Sequence, residues 1–271
     1  MELTLDNYYS VEANMEYMSV SQFKDFMKCE LYGLMKAKGE YVEEKSTALL
    51  VGGYIDSYFS KRLEQFKEEN PQIFKKDGTL KSDYEKANQA IKVIEDDTFF
   101  MEHIKGSTQV IITGEICGVK WKACYDFLND RIVDLKFVAS IIDLVWKYDP
   151  ITKRNYQTNF IEAYGYDIQG AVYKELGRQR LKMDLPFDIA AVSKEDECDK
   201  AIINIDDDIL AQKLELVKSL TERYDLIKKG VIQPTMCGMC PVCRKYKRLH
   251  SVVSYKEMYG IGEQEWEKVK L

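Results

Sequence analysis

The stretch Trp121-Lys-Ala-Cys-Tyr-Asp126-Phe-Leu-Asn-Asp130-Arg-Ile-Val-Asp134-Leu-Lys136-Phe-Val138 decides how this chain folds. Aromatic and β-branched residues dominate it, and two turn-forming residues, Asn129 and Asp130, interrupt it. The pattern predicts strands over 121–128 and 131–138 joined by a tight turn. A further β-rich run, 108–116, precedes them across Cys117-Gly118, so three consecutive antiparallel strands are expected. Residues two apart on a strand share a face. Asp134 and Lys136 therefore project together, while Val133 and Leu135 face the other way. The turn at Asn129-Asp130 folds Asp126 back beside Asp134.

Two carboxylates brought that close repel one another unless a cation lies between them. Magnesium fits such a place, because it takes hard oxygen ligands and keeps several waters for substrate phosphates. A lysine alongside can hold a water and stabilise developing negative charge, which are the parts that phosphodiester hydrolysis requires. Glu115, on the strand before Asp126, offers a further carboxylate. A bare Asp-x-Lys triplet is by itself more often a surface ion pair worth about 0–1 kcal/mol. The surrounding pattern sets this one apart.

Around the strands the periodicity is mostly helical. Phe23, Phe26, Met27, Leu31 and Leu34, behind the capping residues Ser19 and Ser21, predict a helix over about 20–37. Others are expected after Ser46, over 81–96, over 159–181, and over 206–228, the last closed by Gly230. Gly52 and Gly53 fall early in the second, where close approach of another backbone would explain their cost. Strands are expected at 187–192 and 200–205, and a loop with one helix in the tail to Leu271. The fold class is thus α/β (α+β), a central sheet with an antiparallel hairpin flanked by helices, in one domain spanning 1–271. The longest apolar runs are far shorter than the ~20 residues that a membrane helix needs, and no secretory pattern is visible, so a cytoplasmic protein is expected. A net charge of −6 argues against coating nucleic acid with the whole surface. Local basic walls remain available at Lys120 and Lys122, Lys153 and Arg154, Lys174 with Arg178 and Arg180, and Arg244 to Arg248.

Seven cysteines form no disulfide framework, yet Cys237, Cys240 and Cys243 stand two residues apart, a spacing that lets thiols converge on one centre. Such a run is closer to iron–sulfur ligation than to zinc, whose sites usually pair two ligands with two elsewhere. Cys117, Cys124 and Cys198 read as incidental thiols. His103 and His250 read as non-catalytic, with His250 close enough in sequence to substitute in the cluster.

Asp126, a hairpin, and apolar residues leading into Asp134-Leu135-Lys136 resemble the core motif of PD-(D/E)XK nucleases. Ser19-Val-Ser21-Gln-Phe23 followed by Cys29, and Gln169 with Tyr173 on one helical face, resemble motifs of the RecB-type and phage RecE-type exonuclease branch. Gly52-Gly53-Tyr54-Ile55-Asp56 is similar to that branch's glycine and histidine motif, with Asp56 where many members have a histidine. The resemblance implies a restriction-endonuclease-like core with a mixed sheet. It implies that Asp126 and Asp134 bind Mg2+ or Mn2+ with help from the Leu135 carbonyl, that Lys136 orients the attacking water, and that Glu115 and Asp56 are extra ligands. Gln169 and Tyr173 would contact the substrate backbone or brace the site. It also makes Cys29 the fourth ligand of the cysteine centre, an iron–sulfur cluster ahead of zinc, clamping the two ends of the chain. The implied activity is exonucleolytic hydrolysis at linear duplex DNA ends in phage-type recombination, with a single-strand annealing protein as partner and a homo-oligomer as the assembly. The alternatives are a structure-specific or restriction-like endonuclease and a non-catalytic, zinc-containing DNA-binding protein.

Overall fold

A computed structural model describes residues 1–149, 152 and 154–259. Short helices α1 (Val11–Glu16), α2 (Val20–Lys28) and α3 (Glu30–Ala37) open the chain, followed by α4 (Thr47–Phe59), α5 (Leu63–Glu69), α6 (Ser82–Glu95) and α7 (Thr98–His103). Three strands come next: β1 (Ser107–Ile116), β2 (Val119–Leu128) and β3 (Ile132–Val138). Then come β4 (Val145–Asp149), β5 (Arg154–Thr158), α8 (Phe160–Tyr164), α9 (Tyr166–Leu181), β6 (Phe187–Ser193), β7 (Lys200–Asn204) and α10 (Asp207–Lys228), with α11 (Pro241–Tyr246) and α12 (Tyr255–Tyr259) last. Residues 260–271, where the final helix of the tail was expected to extend, lie outside the described residues.

The expected single helix over 20–37 is two helices. Cys29 adopts an extended conformation, φ −171° and ψ 125°, and ends α2 before α3 begins. The helix expected over 159–181 is likewise divided, at Gly165, whose φ of +65° lies in the left-handed region that favours glycine. Local side chains start several of these helices: Ser19, Ser46, Asp97 and Asn159 each accept a backbone N–H of the first turn. Gly52 meets nothing, and a Cβ on Gly53 would meet the Phe66 ring, so a side chain rather than another backbone occupies the space beside this pair.

Among the described residues the main sheet has the order β1-β2-β3-β6-β7. β3 and β6 are parallel, with Asp134 opposite Ile189, and the other pairs are antiparallel. This mixed sheet separates two cores. On one face Phe23, Phe26, Trp121, Tyr125, Val172, Leu176, Phe187 and Tyr224 join α2, α9 and α10 to the strands. On the other, Tyr54, Ile55, Ile91 and Phe100 from α4, α6 and α7 cover Phe127, Val133, Leu135 and Ala190. α9 lies close to the sheet because Gly170 carries no side chain there: a Cβ would stand 2.6 Å from Phe187 Cδ1.

The β2–β3 hairpin is irregular in two ways. Its strands pair only near the turn, at Phe127 with Val133 and Leu128 with Ile132. Tyr125 and Phe127, two apart on β2, nonetheless belong to opposite cores. The strand therefore rotates at Asp126. Opposite it on β1, Gln109 has φ +52°, a conformation uncommon for a non-glycine residue.

Candidate active site and cysteine centre

Where β2 and β3 part, the side chain of Asp126 replaces the missing ladder bond, its Oδ2 accepting from the Leu135 N–H at 2.9 Å. Asp134 is almost fully buried on the α9 side of β3. Gln169 on α9 donates from Nε2 to its Oδ1 at 2.7 Å. Lys136 Nζ lies 2.5 Å from Asp134 Oδ2 and 4.0 Å from Asp126 Oδ2, and it donates to the Leu135 carbonyl at 3.3 Å. Asp56 of α4 faces the same cavity and accepts from Gln109 Nε2 at 3.1 and 3.0 Å. A cavity of about 230 Å³ joins these groups, its other walls including Tyr8, Tyr9, Lys24 and Lys122.

The electrostatics follow from burying three carboxylates near one lysine. Burial and the repulsion of Asp56 and Asp134 push the Asp126 carboxyl well above its usual range. Burial raises Asp56 to about 6, with Asp134 adding to the rise and Lys136 opposing it. For Lys136 burial alone would favour the neutral amine, yet Asp134 and Asp126 outweigh it and hold the ammonium charged. Burial lowers Lys122 to about 8; its Nζ donates to the Tyr8 carbonyl and, at 2.8 Å, to Asn14 Oδ1. This ties the N-terminal segment over the cavity.

Tyr173 also lines the cavity, and its hydroxyl donates to the Cys124 carbonyl at 3.1 Å. In return Tyr125 Oη donates to the Tyr173 carbonyl at 2.6 Å. Gln169 and Tyr173, one helical turn apart, thus brace β3 and β2 respectively. Glu115 is not brought to the site. It lies opposite Lys120, six residues before Asp126 is reached on β2, or ~20 Å along the strand. Its side chain is exposed and its backbone is engaged by Gln179. Of the anticipated basic walls, Lys122 reaches the cavity and Lys153 lies outside the described residues, whereas Lys120 pairs with Glu16, Lys174 with Asp184 and Asp207, and Arg178 with Glu175. Sequence reasoning missed Gln109, Tyr8, Tyr9, Lys24 and Tyr166. Nothing local marks Gln109, whereas Lys24 stands one turn beyond the Ser19-Val-Ser21 signature and could have been found from it.

The donor set suits a divalent cation of the magnesium type. Asp126, Asp134 and the Leu135 carbonyl offer hard oxygens, and the buried Asp134 Oδ2, though close to the lysine, has no hydrogen bond of regular geometry.

At the opposite end of α2 the thiols of Cys29, Cys237, Cys240 and Cys243 come together, every sulfur within 4.8 Å of the others. Among the described residues they form the one cluster of three or more metal-ligand side chains this tight. Cys29 Sγ lies 3.5 Å and Cys237 Sγ 3.9 Å from Cys243 Sγ. Backbone N–H groups of Cys240 and Cys243 donate to the sulfurs of Cys237 and Cys240. Burial opposes the thiolate at Cys237, but the N–H groups of Cys240 and Met239, with the neighbouring thiols of Cys240 and Cys29, prevail and bring it down to about 7, while burial takes Cys243 up to about 12. Glu30, beside Cys29, accepts from Arg223 Nε at 2.6 Å and from the Thr235 N–H at 2.7 Å, which fixes the returning chain against α3 and α10. Cys117, Cys124 and Cys198 stand apart from the cluster. His103 Nε2 bonds Asp188 Oδ2 at 2.7 Å, and neither residue lines the carboxylate cavity.

A mixed sheet between helices, with two aspartates and a lysine on a splayed hairpin, defines the PD-(D/E)XK class of fold and site. The chain belongs to the PDDEXK-like domain family of unknown function DUF3799, whose model matches residues 19–246. It is similar to the crystal structure of a candidate exonuclease from Eubacterium rectale, with 44% identity, a TM-score of 0.89, and coverage of 95% of this chain and 98% of that one. No curated protein matches it significantly. No helix among the described residues is long and apolar enough to cross a membrane.

Proposed function

We propose that the chain is a magnesium- or manganese-dependent deoxyribonuclease acting as an exonuclease on linear duplex DNA ends. The observation that carries this reading is the convergence of Asp126, Asp134 and Lys136 in one cavity where β2 and β3 separate. A divalent ion held by Asp126, Asp134 and the Leu135 carbonyl would polarise the scissile phosphate and make a water more acidic. Lys136, kept cationic by its two aspartates, orients the attacking water and offsets the negative charge that develops on the phosphate. Gln169 fixes the Asp134 carboxylate in the orientation the ion requires, a role that outer ligands commonly play. Asp56 would supply a third carboxylate where many members of the resembled exonuclease branch place a histidine, giving a bound ion harder, more negative ligands.

The cysteine centre supports a structural ion. Four ligands at ~2.3 Å from one tetrahedral zinc stand ~3.8 Å apart. The spacings of 3.5 and 3.9 Å agree with this, whereas a four-iron cluster assigns each thiolate to a different iron and spreads the sulfurs farther. The geometry therefore favours zinc over the iron–sulfur cluster that the Cys-x-x-Cys-x-x-Cys run suggested. A place in phage-type recombination, a single-strand annealing partner and a homo-oligomer are part of the same proposal, through the resemblance to RecE-type enzymes.

The test is digestion of end-labelled linear duplex DNA with magnesium by wild type, Asp134→Asn and Lys136→Met. The expected outcome is nucleotide release by the wild type and a loss of ~10²-fold or more in both variants. Cleavage of closed circular DNA would instead make the protein an endonuclease. Absence of hydrolysis with any divalent metal would leave a DNA-binding role for the zinc module.

A further inference from the structure

Four non-glycine residues among those described have a positive φ: Lys61, Gln109, Cys117 and Lys182. Local structure explains three of them. Lys61 and Lys182 lie just past the ends of α4 and α9, and Cys117 stands in the turn between β1 and β2. Gln109 is inside β1, and no other residue of a described strand, glycine included, has a positive φ. A left-handed conformation is unfavourable for a residue with a Cβ, and it persists only where the surroundings hold it.

The contacts of Gln109 show what this conformation does. Thr108 pairs with Phe127 and Val110 with Tyr125, so Gln109 stands opposite Asp126 with no extra residue inserted. Phe127 and Tyr125 belong to opposite cores, and β1 therefore turns over at Gln109 just as β2 does at Asp126. The Gln109 amide lines the carboxylate cavity, where its Nε2 donates to both oxygens of Asp56 at 3.1 and 3.0 Å. Cys124 Sγ donates to Gln109 Oε1 at 3.5 Å, which turns the NH2 end of the amide towards Asp56. Among the described residues no other side chain bonds the Asp56 carboxylate, and no lysine or arginine pairs with it. Gln109 and Asp56 also line a neighbouring cavity of about 440 Å³, so the pair stands where the two cavities meet.

We propose that Gln109 is a positioning residue of the active site, holding the Asp56 carboxylate towards the ion that Asp126 and Asp134 would share, and that β1 keeps a left-handed residue because it brings the amide there. The proposal rests on the metal-dependent nuclease reading and deepens it, by giving the third carboxylate a partner that acts through it. A carboxylate beside two others turns away from them unless a donor fixes it. An amide fixes it without cancelling the charge that attracts the cation, as a lysine or arginine at this place would do. A ligating imidazole is oriented by one bond to its second nitrogen, whereas a carboxylate has two equivalent oxygens, and the shared contact of Nε2 holds both.

Two variants separate the backbone from the amide. Gln109→Gly and Gln109→Ala both remove the amide, and only glycine adopts a left-handed φ without strain. In metal-free circular dichroism Gln109→Gly should melt about 2–4 °C above Gln109→Ala. In calorimetry both should bind manganese ~10–100-fold more weakly than wild type. Equal losses of affinity in two variants of unequal stability are a pattern that a merely structural role would not produce. In an Asp56→Ala background Gln109→Gly should change the affinity by less than about two-fold, because the amide has nothing left to hold. Wild-type manganese affinity in Gln109→Gly would overturn the proposal, as would an equal loss with and without Asp56. Manganese binding that survives Asp134→Asn unchanged would count instead against the assigned metal site, so the two ideas fail separately.

Discussion

Replacing Asp56 by asparagine should make this protein more stable at neutral pH while impairing its chemistry. Asp56 sits in the cavity with Asp126 and Asp134, and its pKa moves from an ordinary 3.8 to about 6. A carboxyl that holds its proton more tightly in the folded chain favours folding at low pH. That contribution is complete below ~4 and is lost as the pH rises through about 6. Above that pH the ionised Asp56 opposes folding by ~3 kcal/mol, the energy of the gap between 3.8 and about 6. Asparagine removes the charge but gives Gln109 one oxygen to bond in place of two, a loss of ~1 kcal/mol. The net gain above pH 7 is then ~1–2 kcal/mol, or ~2–8 °C in Tm for a domain near this size. Melting monitored by circular dichroism between pH 4 and pH 8 measures it. The variant should melt higher than wild type at the alkaline end and converge with it, or fall below, at the acidic end. Added magnesium should narrow the difference by neutralising the wild-type cavity. A variant that is less stable than wild type at every pH would refute the argument that these carboxylates are held together against their repulsion.

Gln169→Leu removes the donor to Asp134 Oδ1 while keeping most of the side-chain volume, and should weaken manganese binding by ~10–100-fold in calorimetry with little change in Tm. Glu115→Gln should leave cleavage within about two-fold of wild type, since this exposed residue stands away from the cavity. Cys29→Ser should abolish bound zinc, measured by mass spectrometry of the metal as one ion per wild-type chain. The same variant should expose the segment after Gly230 to limited proteolysis, because the thiol joins that segment to α3. An absorbance band near 400 nm with iron and inorganic sulfide in the wild type would instead restore the iron–sulfur assignment.

Much of this architecture was legible in local sequence because its signals are local. Alternation and turn residues located β1, β2 and β3, and the two-residue spacing put Asp134 and Lys136 on one face without reference to any tertiary contact. The order of short motifs pointed to Gln169 and Tyr173, and both line the cavity. Where periodicity misled, a single residue had a role that periodicity does not record. Cys29 breaks an apparently continuous helix so that its thiol can turn towards residues more than two hundred positions away, and Gly165 breaks another at the step that sets Tyr166 beside Lys136. The β4–β5 ribbon was missed because its strands are only five residues long and carry few apolar residues among charged and polar ones.

The sequence by itself determined the strand order of the hairpin, the acidic and basic residues it carries, and the three-cysteine run, since each depends on neighbours a few residues apart. Only the tertiary structure decided which carboxylates meet. Glu115 and Asp56 are equally plausible on paper, but the register of β1 against β2 carries the first away, and the packing of α4 across the sheet brings the second in. Register and packing are set by which apolar faces bury one another across distant segments, and a charged side chain travels with the element that carries it.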